Sequence, residues 1–108
     1  MSERPRVVCL CGSSRFREEF DEAAATETLA GRIVLSLGIF SGASGATLSD
    51  EQVALLRRLH LQRIDLADEI LVINPGGYVG ETTAQEIEYA RSRDKTIRWL
   101  FSSSRQRS

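Results

Sequence analysis

Four short apolar runs rich in strand-forming residues, separated by stretches of helical length, constrain this chain more than any other feature. They span Val7 to Cys11, Ile33 to Leu37, Glu69 to Ile73 and Thr96 to Phe101. The order reads βαβαβαβ. Ile70-Leu71-Val72-Ile73 is apolar without strict alternation, which suits a strand buried on both faces of a parallel sheet. Right-handed crossovers between such strands place helices on both sides.

The expected architecture is therefore α/β: a small doubly wound parallel sheet of four to five strands with helices on both faces, flavodoxin- or Rossmann-like. The 108 residues leave little room for a second core, so residues 1–101 read as one domain and 102–108 as a flexible tail. The first helix is expected after Gly12 and Ser13, with Phe16, Phe20 and Ala23 toward the sheet and a stop at Gly31. Ser49-Asp50-Glu51-Gln52 announces the second with a capping box, followed by a stripe of Val53, Leu56, His60, Ile64 and Ala67. The third starts near Gly80 to Thr83 and runs to about Arg93. Between the second strand and second helix, residues 40–47 are small and polar and long for such a connection, as a mobile flap would be.

Charge and composition narrow the partners. Lys and Arg total 14 against 15 Asp and Glu, a formal net charge of -1, so no overall basic field exists to hold DNA or RNA. No apolar run reaches the length of a membrane span, and the start lacks the hydrophobic stretch of a signal peptide, so the expected address is the cytoplasm. Cys9 and Cys11 share a strand face, where the short loop between them disfavours an unstrained disulfide; they read as reduced core residues. Two cysteines and one distant histidine make no recognised zinc spacing, so no metal site is expected.

In an open parallel sheet, ligands bind beyond the carboxyl ends of the strands, where the strand order reverses. The loops after the first and third strands therefore matter most. They read Cys11-Gly12-Ser13-Ser14-Arg15-Phe16 and Asn74-Pro75-Gly76-Gly77-Tyr78-Val79-Gly80-Glu81-Thr82-Thr83. Each offers glycines, hydroxyls and a helix start, the components of a small-anion site, and Arg15 adds a full charge. Each also reads equally as a plain capping turn, since neither is a dinucleotide fingerprint nor a P-loop.

Glu86 has two readings. With Thr83 it matches the Ser/Thr-x-x-Glu capping box, folding back on its own helix start. It also borders the buried stripe of Ile87 and Ala90, from which a carboxylate reaches the cavity above the sheet. His60 is either a hydrogen-bonded core histidine or an acid poised near neutrality. Asp65 falls on the opposite face of its helix from His60.

The stretch from Ile64 to Leu100, with Ile-Asp-Leu-Ala-Asp-Glu-Ile-Leu-Val-Ile-Asn, Gly-Glu-Thr-Thr-Ala-Gln-Glu-Ile-Glu-Tyr-Ala and Lys-Thr-Ile-Arg-Trp-Leu, resembles the nucleoside 2-deoxyribosyltransferase-like superfamily. That superfamily includes the deoxyribosyltransferases and the nucleoside 5'-monophosphate N-glycosidases, and Val-Cys-Leu-Cys-Gly-Ser-Ser-Arg looks like the opening of the latter. The resemblance implies that Glu86 is a nucleophile toward the anomeric carbon. It puts an acidic residue about eight positions before Asp68; here that position is His60, leaving His60 or Asp65 as the expected partner. It implies that Gly80, Thr82 and Thr83 receive the 5' end of the substrate, that Gly12, Ser13 and Arg15 line the same cavity, and that Tyr78 and Phe40 stack on a base.

The expected function is thus cleavage of a nucleoside or nucleotide N-glycosidic bond by hydrolysis or base transfer, with no cofactor, since an ester at Glu86 needs none. The alternatives are a noncatalytic nucleotide sensor using the same cleft and a small interaction domain. The resemblance further implies a homodimer through the second and third helices, with the partner's C-terminal region reaching the site.

Overall fold

The computed structural model describes residues 4–40 and 47–101. Residues 41–46 of the flap expected over 40–47, and the tail over 102–108, lie outside the described residues. Four parallel strands, β1 (Val7–Gly12), β2 (Ile33–Leu35), β3 (Glu69–Ile73) and β4 (Thr96–Trp99), form one sheet in the order β2-β1-β3-β4. Helices α1 (Arg17–Leu29), α2 (Asp50–Leu66) and α3 (Glu81–Ser92) connect them. The sheet is the small doubly wound arrangement the apolar runs imply, with four strands.

Each face of the sheet has its own core. Val8, Leu10, Leu71 and Ile73 meet Phe20 and Ala23 of α1 on one side. Cys9, Cys11, Ile70 and Val72 meet Ile64 and Ala67 at the end of α2, and Ile87 and Ala90 of α3, on the other. All five residues of β3 are buried, so its continuous apolar run serves both layers. β2 and β4 end two residues early, because both are edge strands that pair on one side only. After β4 the chain still follows its neighbour: Leu100 N–H donates to Val72 O, and the buried Asn74 side chain exchanges two hydrogen bonds with the Phe101 backbone at 2.9 and 3.0 Å.

The helix boundaries follow local chemistry. Ser49 caps α2 as expected, accepting from Gln52 N while the Gln52 side chain accepts from Ser49 N. Gly31 ends α1 at φ 94°, a left-handed value that favours glycine. Before β3, Asp68 accepts from Val7 N at 2.8 Å and takes both Arg4 nitrogens. The Arg4 bonds hold its carboxyl down at about 2. That stabilisation is complete above the ordinary Asp range and is lost as pH falls through about 2. No helix among the described residues is long and apolar enough to cross a membrane.

Candidate active site

β2 lies to one side of β1 and β3 to the other, so the chain reverses direction between β1 and β3. The loops leaving these two strands diverge there and leave a crevice. It is a cleft of about 730 Å³, within the range of small-molecule sites. Gly12 and Ser13 form one wall; Tyr78, Gly80 and Thr82 form the other. Leu37 and Phe40 from the segment after β2, and Val53 and Leu56 from the start of α2, supply apolar surface. Glycine is required at position 12 for space: a Cβ there would lie 2.8 Å from Ile73 O and 3.3 Å from the Phe20 ring.

Glu86 lies in this cleft, and the capping reading does not hold. The residue before α3 is Gly80, and no side chain caps the helix. Thr83 is thus the third residue of α3 and Glu86 the sixth, too far along to fold back on the helix start. The Glu86 side chain turns inward instead, is 8% exposed, and its Oε1 has no hydrogen-bond partner among the described residues. Burial pushes its carboxyl up to about 7, with Cys9 adding to the rise while His60 and Arg57 oppose it. A buried carboxyl raised toward neutrality, with one oxygen unpartnered among the described residues, makes Glu86 a candidate functional residue.

His60 also lines the cleft and is 2% exposed. Its Nε2 is 3.9 Å from Glu86 Oε1 and 3.7 Å from Cys9 Sγ, and its Nδ1 faces Arg63 at 3.4 Å. Burial opposes protonation of the ring, but the Cys9 sulfur and the Glu86 carboxylate outweigh it and raise the pKa. Cys11 lies beside Cys9, and the ligating atoms of Cys9, Cys11 and His60 all fall within 4.8 Å of one another. Both cysteines are free thiols. Sequence spacing missed this cluster because His60 reaches the strand from 51 residues away, by the crossover of α2 over β1.

Of the other expected site residues, Thr83 and Gly80 line the cleft but Arg15 and Asp65 do not. The Arg15 guanidinium stacks over the Tyr78 ring at 4.5 Å and over Phe16 at 4.9 Å, bracing Tyr78 from outside. Asp65 accepts the single Tyr89 hydroxyl proton, shared between its two oxygens at 2.8 and 3.0 Å, on the outer side of α2 and α3. The cation that does line the cleft is Arg57, which donates to the Thr82 hydroxyl at 3.2 Å. Its place three residues before His60, on the same side of α2, is the signal by which the sequence marks it.

Fold and cleft together define a small doubly wound α/β protein with a buried carboxylate at its switch-point crevice. No family model matches the chain, and no curated protein matches it.

Proposed function

We propose that the cleft binds a nucleoside or nucleoside 5'-monophosphate and that Glu86 cleaves its N-glycosidic bond, as the resemblance to the nucleoside 2-deoxyribosyltransferase-like superfamily implies for a cytoplasmic enzyme. The observation that carries this reading is Glu86 itself, a buried carboxyl whose Oε1 has no hydrogen-bond partner among the described residues and which burial brings to about 7, in a cleft of nucleotide size. A carboxylate oxygen bonds to the anomeric carbon while the C–N bond breaks, its electron pair leaving with the base, which takes a proton from water at the open mouth. Water then attacks the glycosyl ester, frees the sugar and restores Glu86; a second base in place of water makes the reaction a transfer.

In this reading His60 positions the nucleophile rather than protonating the base. Its Nε2 is 3.9 Å from the attacking carboxylate's own oxygen, inside the roughly 5 Å that separates the two groups of a retaining pair. That same geometry favours a second reading, a protein that binds the nucleotide without cutting it. Incubation with a panel of deoxynucleosides, ribonucleosides and their 5'-monophosphates separates the two: the first predicts free base on chromatography, the second calorimetric binding without base.

Arg57 and the uncapped start of α3 suit a 5'-phosphate, while Glu81, also lining the cleft, repels one. Arg57→Ala is expected to raise KM for a 5'-monophosphate about tenfold or more, from loss of a charged hydrogen bond, with KM for the free nucleoside within about twofold. Equal changes for both substrates would remove Arg57 from phosphate recognition.

The reading includes a homodimer. On α2, Leu55, Leu59 and Leu66 are exposed, and steps of four and seven residues set them on one stripe. Sedimentation at micromolar concentration should give twice the chain mass, and Leu59→Glu should halve it. A wild-type monomer would refute self-association.

A further inference from the structure

Cys9 and Cys11 alternate with Leu10 on β1, so both thiols face the α2 layer, where His60 descends on them. We infer that these three side chains, with the Glu86 carboxylate as fourth ligand, form a site for a thiophilic divalent cation of the zinc class. In a tetrahedral site with Zn–S near 2.3 Å and Zn–N near 2.05 Å, a sulfur and a nitrogen lie about 3.6 Å apart. Cys9 Sγ and His60 Nε2 are 3.7 Å apart. The Glu86 oxygen, 3.9 Å from Nε2, stands about half an ångström beyond the corresponding edge. It is buried and without a hydrogen-bond partner among the described residues, but it falls outside the 4.8 Å within which the other three ligand atoms lie, so Glu86 must swing inward to complete four-coordination.

The donor set selects the cation. Two thiolates and an imidazole are soft or borderline ligands that favour zinc and its congeners over magnesium or calcium. Two thiolates, a carboxylate and a divalent ion sum to one negative charge, beside the cationic Arg57 and Arg63. Entry is through the cleft, whose floor His60 and Glu86 share. A guanidinium only donates, so Arg63 makes Nδ1 the acceptor in the neutral ring and puts the ring proton on Nε2. Loading replaces that proton with the cation, shifts the ring proton to Nδ1 and turns Arg63 off it. Both thiol protons, and those of Glu86 and of a doubly protonated His60 ring where present, pass to solvent; no electrons change hands. The loaded state withdraws Glu86 from the cleft, but the site itself is independent of the N-glycosidic reading and is tested by binding alone.

The test is titration of the reduced, metal-free full chain with Co²⁺, followed by Zn²⁺. One equivalent of Co²⁺ should produce the sulfur-to-cobalt charge-transfer absorption and the intense visible bands of a tetrahedral ion, and one equivalent of Zn²⁺ should abolish both. Cys11→Ser should weaken binding at least a hundredfold, and Glu86→Gln about tenfold. The charge-transfer band reports thiolate ligation in the wild type, so the result stands even where a serine variant fails to fold. Absence of that band at micromolar protein and excess Co²⁺, or equal Co²⁺ affinity in wild type and folded Cys11→Ser, overturns the inference.

Discussion

Glu86→Gln is expected to stabilise the folded protein by about 2 kcal/mol at pH 8.5 and to do little at pH 4.5. The Glu86 carboxyl, ordinarily near 4.5, is raised by burial to about 7 in the folded chain. A group whose folded pKa is raised contributes stability that is complete below its unfolded pKa and is lost as pH rises through the folded pKa. The folded wild type therefore loses stability between about pH 4.5 and a little above 7, on the order of 3 kcal/mol for a rise of this size. Glutamine keeps the shape and cannot ionise, so the variant escapes that loss, less a share for its own buried amide. Urea midpoints at the two pH values measure the difference. Destabilisation of equal size at both would mean that Glu86 is an ordinary packed residue whose ionisation the fold does not resist. A carboxylate that weakens its own fold at working pH is the pattern expected of a residue kept for function.

Arg98→Met should cost about 2–4 kcal/mol, the size expected when a buried ion pair loses one partner. At the opposite end of the sheet from the cleft, Glu27 and Glu69 are 6% and 4% exposed. Arg98 binds both, donating to Glu69 at 3.0 Å and to Glu27 at 2.6 Å. Arg32 reaches the same two carboxylates at 3.3 and 3.5 Å, which keeps the loss from being larger. Methionine retains the apolar stem and removes the charge, leaving two like carboxylates with weaker compensation. The matching control is Arg17→Met, whose partner Asp21 is 3.8 Å away and exposed; it should change stability by less than about 1 kcal/mol. Equal effects in urea unfolding would show that the Arg98 network is surface decoration.

Much of the fold was legible because it rests on local signals. The run Ile70 to Ile73 announces a strand covered on both faces, and Ser49 with Gln52 marks the start of α2 to the residue. The site was legible only in part. Glu86 is ambiguous in sequence because Thr83 precedes it by three; what decides is that the backbone enters α3 at Gly80, which the capping spacing does not reveal. Arg15 sits in the informative loop but turns onto the Tyr78 ring, since an exposed guanidinium finds a π-face nearer than the cleft. Arg57 is marked only by its helical spacing from His60, and the Cys9–His60 contact depends on how α2 crosses β1, a tertiary placement that no short motif encodes.

The central claim is that Glu86 is a nucleophile toward the anomeric carbon. The most direct measurement is release of free base from a nucleoside or 5'-monophosphate by chelator-treated protein, comparing wild type with Glu86→Gln, whose fold is verified by its urea midpoint. The account predicts base release by the wild type and a loss of at least a thousandfold in the variant. Equal release from both proteins would contradict it.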